Sequence, residues 1–499
     1  MIKCVLHIYL KHIDIFEEML KLIIRQANWG VLGTVFAFSV GFFVKIYIID
    51  IVGLEAWGKY AIAQTFSSLS ETILSIGIPF VIIKFIPTLI DNHKDKASRI
   101  ANVFIRYSLV AGGCFLIFIF FFSDYINCFI YKSVDDLGWI LFLMCIHVPV
   151  SMLFGVVISL YRSVLKIKEI VLYGTFLSVS IRAILSFIIF NFTNDISHFI
   201  IIEVFTQILV LSVLLYLFNK NELSLFVKSD ISEVASNQKM ISYGKKMFLL
   251  GLIAFISGHM LSFVISIKLP AEDVGAYNIL LTLTGLATFL LINLNKIFAP
   301  AISKLYNENN ILELDSLYKK TTFLLNLLAI PLVVIISVFS DEILLLYTDD
   351  MLKYRDYLYF LLLGRAIGLS TGSSGTFMTM AGLESQQLNI QIVRGISILV
   401  LSLILIPLFG MISVVFLYVV SLLFANMSYL FYIHRDLNIH PFSLDLLKIF
   451  GLTLVVMYFA VNQQYEFHVI HFVVVPIGIY LLYFSFMFRP IKKLINEIL

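Results

Sequence analysis

The chain has 499 residues, 60% of them apolar and only 13% charged, with a mean hydropathy of +0.98 and a formal net charge of +3. Ordinary globular chains carry about 25% charged residues, so this mixture cannot cover a soluble surface, and lipid must solvate most side chains. Cys4, Cys114, Cys128 and Cys145 lack metal-ligand spacing and fall mostly in apolar runs, so they read as buried, inert thiols rather than a disulfide framework.

Residues 1–26 carry Lys3, His7, Lys11, Asp14, Glu18, Lys21 and Arg25 at intervals of three or four. This polar stripe predicts a helix over 1–29, lying in the inner membrane interface or packed on the bundle. The segment lacks the short apolar core and small-residue cleavage site of a signal peptide. Beyond it, a crossing helix needs about 20 predominantly apolar residues. Runs of that kind lie near 30–52, 62–86, 103–123, 137–159, 170–192, 197–218, 246–267, 276–299, 322–340, 357–380, 390–409, 411–433, 447–463 and 468–488. With a cytoplasmic amino terminus, the segments between them hold 21 lysines and arginines inside. Only five, Lys59, Lys132, Lys268, Lys353 and Arg355, lie outside. That asymmetry predicts both termini in the cytoplasm.

The two halves match at a fixed offset. Gly58-Lys-Tyr60 follows the first span and Gly275-Ala-Tyr277 the seventh. Phe122-Ser-Asp124 ends the third and Phe339-Ser-Asp341 the ninth, and both pairs are 217 residues apart. Six spans per half place both halves in the same orientation, the plan of transporters built from parallel repeats, which bind substrate near mid-membrane between the halves. The predicted fold is all-α and polytopic, with about fourteen transmembrane helices. A first lobe covers 30–218, a cytoplasmic linker 219–245 and a second lobe 246–433. Two additional helices occupy 434–499.

Several runs carry a family resemblance. In the first half these are Ile51-Val-Gly-Leu-Glu-Ala-Trp-Gly-Lys-Tyr60, containing a Gly-x-Tyr loop, and Ile76-Gly-Ile-Pro-Phe80. In the second they are Ala271-Glu-Asp-Val-Gly-Ala-Tyr277, Phe298-Ala-Pro-Ala-Ile-Ser-Lys-Leu-Tyr306 and Ile404-Leu-Ile-Pro-Leu-Phe-Gly410. In order and spacing they resemble the polysaccharide-transporter branch of the multidrug/oligosaccharidyl-lipid/polysaccharide exporter superfamily, specifically its O-antigen (Wzx-type) flippases. The resemblance implies a flippase for oligosaccharide on an undecaprenyl diphosphate carrier in a bacterial inner membrane, driven by proton or sodium exchange. Membrane lipids, a polysaccharide polymerase and a chain-length regulator are the implied partners, with no cofactor and no nucleic acid. The alternatives are a multidrug or peptidoglycan-precursor exporter on the same scaffold, and a membrane-embedded polymerase or glycosyltransferase. An enzyme of that kind needs a larger extramembrane loop than the longest outer one, 341–356.

Charges within a span cost about 3 kcal/mol or more at the bilayer centre and usually face a cavity. Lys45, Glu71, Arg182, Glu203 and Arg365 lie well inside predicted spans, and His147 and His259 near the middle of theirs. Arg182 and Arg365, with Lys45, would make a cavity cationic for a diphosphate, which the planar guanidinium fork binds bidentately. Glu203 and Glu71 are candidates for ion coupling, with His147 and His259 as further titratable groups. Structural pairing of each cation with a carboxylate is the competing expectation. Lys84, Lys296 and Arg394 lie close enough to the inner surface to snorkel. Gly364, Gly368 and Gly372 form a smooth stripe for close helix approach, and Pro79, Pro149 and Pro331 are expected to kink their spans. Gly53-Leu-Glu-Ala-Trp-Gly-Lys-Tyr60 fails as a nucleotide-binding loop because Tyr60 stands where Ser or Thr would hold magnesium. No His/Cys cluster suggests a metal.

Overall fold

The computed structural model describes residues 29–492, apart from Ser133, Ile231, Ser236 and 463–470. The expected amphipathic segment 1–29 lies almost wholly outside the described residues, as do 493–499. Every regular element among the described residues is helical. A spanning backbone can satisfy its own N–H and C=O groups this way without a partner strand.

The first half is built from seven long helices: α1 Trp29–Val52, α2 Leu54–Leu74, α3 Ile78–Asn92, α4 Lys94–Ile130, α5 Gly138–Ser163, α6 Ile167–Ile189 and α7 Ile196–Asn221. The second half follows with α8 Gln238–Lys268, α9 Ala271–Asn307, α10 Ile311–Val338, α11 Arg355–Ser370, α12 Ser374–Met380, α13 Glu384–Phe409 and α14 Met411–Leu437. Then come α15 Leu444–Asn462 and α16 His471–Phe486. Among the described residues ten helices are long and apolar enough to cross a membrane, or eleven if the bent pair α2 and α3 forms one span. The sequence predicts fourteen. The other three, at 357–380, 447–463 and 468–488, coincide with the split pair α11 and α12, with α15 and with α16, none of which is in that set.

Two breaks explain where the sequence reading of the elements departs from the structure. The predicted outer loop with its Gly-x-Tyr motif is helical: α2 starts at Leu54, and Gly58 and Tyr60 are buried within it. Its repeat, Gly275 to Tyr277, lies inside α9. The predicted second span instead breaks at 75–77, where Ile76 and Gly77 adopt φ of 45° and 70°, and the chain bends by 45°. A Cβ at Gly77 would stand 2.8 Å from the Gly244 carbonyl oxygen, so this turn meets the backbone of α8 as only glycine allows. Pro79 opens α3 rather than kinking a helix, whereas Pro149 and Pro331 lie within continuous helices.

The second break divides the predicted tenth span at Thr371–Ser373, with Gly372 at φ +63°. The expected glycine stripe is therefore shorter: Gly364 and Gly368 pack on Val419 and Leu422 of α14, while Gly372 leaves the helix and abuts Thr322. Side chains satisfy the backbone groups freed there. Asn326 donates to the Leu369 carbonyl at 2.8 Å and Tyr318 to the Thr371 carbonyl at 2.7 Å. Thr371 and Ser374 both donate to Asn426 Oδ1 at 3.1 Å.

The chain divides into two compact units, Met1–Phe255 and Ile256–Leu499. The division falls inside α8. Segment 219–245, expected as an unpatterned linker, docks on the first unit. There Leu223 and Leu225 are buried, Asn102 donates to the Leu225 carbonyl at 2.7 Å, and Arg99 pairs with Glu233 at 2.6 Å. The first unit's core gathers Ile82, Ile86, Ile100, Val157, Leu214 and Phe218. In the second, Phe323, Ile330 and Val334 pack with Ile449, Tyr483 and Met487, which ties α15 and α16 to α10. Large apolar side chains such as Phe43, Phe121 and Phe192 face outward, as a lipid solvent requires. Cys145 is buried as expected, but Cys114 and Cys128 lie exposed on α4, and all three are free thiols.

Candidate functional site

In the first unit, polar side chains from four helices surround a cavity of about 300 Å³. Gln64, Ser67, Ser68 and Glu71 come from α2 at spacings of three and four, which put them on one helix face. His147, with Met144 and Phe154, comes from α5. Gly174, Ser178 and Arg182 stand at every fourth position of α6, and Glu203 and Gln207 are one turn apart on α7.

Arg182 and Glu203 lie at the centre of the site. Arg182 Nη1 donates to Glu203 Oε1 at 2.7 Å, and Tyr60 Oη donates to Glu203 Oε2 at 2.9 Å. Gln64 Nε2 donates in turn to the Tyr60 oxygen at 3.2 Å. Trp57 stacks on Tyr60 with ring centroids 4.6 Å apart, and Lys45 Nζ stands 5.1 Å from the Trp57 ring centroid. Gln207 Nε2 donates to Ser151 Oγ at 3.1 Å, and that oxygen is 2.8 Å from His147 Nδ1. Both oxygens of Glu203 are engaged. Glu71 lines the same cavity, yet its side chain makes no hydrogen bond or ion pair among the described residues.

α6 reaches this site through an eight-residue π-helical stretch, Ile170–Leu177, which contributes Gly174 to the wall. Such windings appear frequently at functional sites because they re-aim the side chains that follow.

Of the candidates read from the sequence, the structure brings Arg182, Glu203, Glu71 and His147 together at one cavity. Lys45 connects to them through Trp57 and Tyr60. Arg365 and His259 belong to the second unit, on α11 and α8. There Arg365 Nη2 donates to Tyr418 Oη, with the guanidinium 5.6 Å from the Tyr418 ring centroid. Arg394, expected to snorkel, lies part-buried on α13. Its Nε is buried without a partner, and Tyr429, Tyr418, Arg365 and Tyr277 are its electrostatic neighbours. The sequence reading missed Gln64, Ser151, Gln207 and the hydrogen-bonding role of Tyr60. The four-residue spacings of Glu203 to Gln207 and His147 to Ser151 were the available signals, since each places two polar groups on one helix face.

The model of the family described as polysaccharide biosynthesis protein matches residues 51–354, more than half of the chain. The chain belongs to this family. A search of curated proteins gives no match. Among solved structures, a lipid II flippase, MurJ, in an inward closed conformation superposes with a TM-score of 0.70 at 17% identity, covering 92% of this chain and 99% of that one. An inward-facing multidrug resistance transporter of the MATE family gives 0.65 at 13% identity, covering 81% and 94%. A transporter of the MOP superfamily from Pyrococcus furiosus, described by a binding pocket of reversed polarity, gives 0.57 at 14%, covering 84% and 96%. The fold is the one these solved transporters share, and the chain is a multi-pass membrane protein of the polysaccharide biosynthesis family.

Proposed function

We propose that this protein is a flippase that moves an undecaprenyl-diphosphate-linked oligosaccharide, an O-antigen or similar repeat unit, from the cytoplasmic to the outer leaflet of a bacterial inner membrane. It works by alternating access, and both termini are cytoplasmic. The observation that carries this reading is the cavity walled by Glu71, His147, Arg182 and Glu203 within a polysaccharide-family transporter fold. Charged groups held inside spanning helices are retained where a polar solute or ion passes. The likeness to a lipid II flippase supports a lipid-linked substrate, and the family match supports a polysaccharide unit over the peptidoglycan precursor.

Within this reading Glu71 carries the coupling proton. Protonating Glu203 would leave Arg182 unpaired, whereas Glu71 can gain or lose a proton without breaking an ion pair. The decisive experiment deletes the gene and locates lipid-linked oligosaccharides by leaflet. Assembled repeat units confined to the cytoplasmic leaflet, with surface polysaccharide lost, are expected. Single units accumulating on the outer leaflet would mean that export is intact and polymerisation has failed, and the enzyme reading would replace this one. Arrest of peptidoglycan synthesis with normal surface polysaccharide would favour the peptidoglycan-precursor reading, to which the MurJ likeness gives its weight.

A further inference from the structure

The segment that joins the two repeats is strapped to the amino-terminal end of α4, and that helix sets its depth in the membrane. α4 has 37 residues, about 55 Å at the α-helical rise against a hydrocarbon core of about 30 Å, so its ends stand outside the core. No charged or hydroxyl side chain occurs from Leu109 to Phe122. Arg99, Asn102 and Arg106 therefore occupy the last turns before hydrocarbon, and spacings of three and four put them on one face.

The strap rises along this face and returns. Asn102 Nδ2 donates to the Leu225 carbonyl at 2.7 Å and Arg106 Nη1 to the Ser229 carbonyl at 3.2 Å. Ser229 Oγ donates to Asn102 Oδ1 at 2.7 Å, and Glu233 lies further back, paired with Arg99. Leu223 and Leu225 are buried in the first unit's core, which fixes the opposite side of the crest outward. Phe226 is 70% exposed there and Val227 36%, followed by an exposed Lys228. An apolar pair held at the edge of the hydrocarbon is solvated by acyl chains.

Cations flank this pair. Arg106 is exposed beside the crest, and Lys220, on the last turn of α7, has its ammonium 5.9 Å from the ring centroid of the exposed Tyr216. Among the described residues Arg106, Lys220 and Lys228 form no ion pair. The nearby carboxylates are engaged elsewhere, Glu222 with Lys166 and Glu233 with Arg99, which leaves Asp230 against three cations. At the end of the second repeat, by contrast, Arg435 is neutralised by Asp436 at 2.5 Å. Surplus positive charge around an exposed apolar crest fits an amphiphile with an anionic head.

We propose that the strap Leu223–Ser229, with Lys220 and Arg106, is a docking surface for an anionic phospholipid of the inner leaflet. An acyl chain lies against Phe226 and Val227, and the phosphate faces the three cations. The connection between the repeats is thereby held at the membrane surface by lipid as well as by α4. This goes beyond the flippase reading, and only the choice of leaflet rests on the orientation adopted there.

The test uses the full-length protein carrying Phe226→Trp, reconstituted in vesicles of phosphatidylglycerol and phosphatidylcholine. One lipid is brominated at a time, and tryptophan quenching is read after subtracting the parent's. Both brominated lipids should quench, and titrating their mole fractions gives their relative affinity for this position. Phosphatidylglycerol should be preferred at least about five-fold, the effect of one cation near an anionic surface. Lys220→Gln and Lys228→Gln together should bring that ratio below half its value, each alone falling between. Neither lysine anchors the strap, so these variants keep it in place. Absence of quenching by either lipid would show the crest covered by protein or facing water, and overturns the proposal. Equal quenching by the two lipids, or a preference that survives both substitutions, overturns it as well. These outcomes leave the flippase reading to the leaflet experiment, which follows the transported oligosaccharide and not the lipid at the strap.

Discussion

Arg182 and Glu203 face each other across α6 and α7 as an ion pair at 2.7 Å, with side chains 35% and 11% exposed. Removing the arginine strands a carboxylate that keeps only the Tyr60 hydroxyl. Exposed pairs contribute about 0–1 kcal/mol, and breaking a buried one costs about 3–5 kcal/mol. The partial exposure of Arg182 to the cavity puts this pair between them, at about 1–3 kcal/mol. Arg182→Ala is therefore expected to lower the melting temperature and the amount of inserted protein, and Arg182→Ala with Glu203→Ala to recover much of both. Membrane protein level and thermal midpoint across the three variants check this. A single variant as abundant and stable as the parent would show that the pair contributes nothing.

Tyr60→Phe isolates the other half of the Glu203 environment. The ring keeps its stack on Trp57, but Glu203 loses a donor and Gln64 its acceptor. A hydrogen bond to a charged group contributes about 1.5–3 kcal/mol, so a lower melting temperature with normal insertion is expected. In a double-mutant cycle with Glu203→Gln the two losses should fall short of additive by at least about 0.5 kcal/mol, as for residues in direct contact. Strict additivity would mean that Tyr60 acts through its packing alone.

Much of this arrangement was legible in the sequence. Charges within apolar runs are costly enough that their positions carry information, and Arg182, Glu203, Glu71 and His147 were found that way and meet at one cavity. The hydrophobic runs also located the helices, because a spanning segment has little choice of structure in lipid. What could not be read was local backbone conformation. Nothing in Ile170–Leu177 marks a π-helix, whereas the break at Gly372 lies in Ser370-Thr-Gly-Ser-Ser374, a run of small polar residues that a count of apolar runs passes over. Tyr60 was visible only as a repeat marker, since its partner lies 143 residues away.

The Gly372 break makes a sharp stability test. Its φ of +63° disfavours any Cβ, and one placed there would stand 2.1 Å from Thr322 Oγ1. Gly372→Ala should destabilise by about 1–3 kcal/mol, the scale of a strained backbone position. Gly285→Ala, on α9 with open space where the methyl would go, should be neutral or slightly stabilising. Thermal midpoints of the two variants compared with the parent decide it, and equal midpoints would remove strain at Gly372 from the account of the tenth span.

Topology is open to direct measurement. Asp350 is exposed in the predicted outer segment and Arg435 in a predicted inner one. With Cys114 and Cys128 replaced by serine to silence the exposed thiols, Asp350→Cys should react with a membrane-impermeant maleimide in spheroplasts. Arg435→Cys should react only after lysis. The reverse pattern would invert the orientation and place both termini outside.

Glu71 and Glu203 line the same cavity but differ in their partners, and that difference separates coupling from structure. Glutamine is nearly isosteric with a protonated glutamate and cannot exchange the proton. At Glu71 the substitution breaks no ion pair among the described residues, so Glu71→Gln should insert and melt like the parent. At Glu203 it leaves the Arg182 guanidinium facing a neutral amide, so Glu203→Gln should melt lower by a margin similar to that of Arg182→Ala. Transport in proteoliposomes completes the comparison. If Glu71 carries the coupling proton, Glu71→Gln should still exchange lipid-linked substrate between leaflets at equal pH, because the conformational cycle is intact. It should lose the acceleration that an imposed proton gradient gives the parent. A Glu71→Gln protein that still responds fully to the gradient would remove Glu71 from coupling. Should Glu203→Gln then prove stable and gradient-blind, the proton would be carried within the ion pair, with Arg182 changing partners as Glu203 is neutralised.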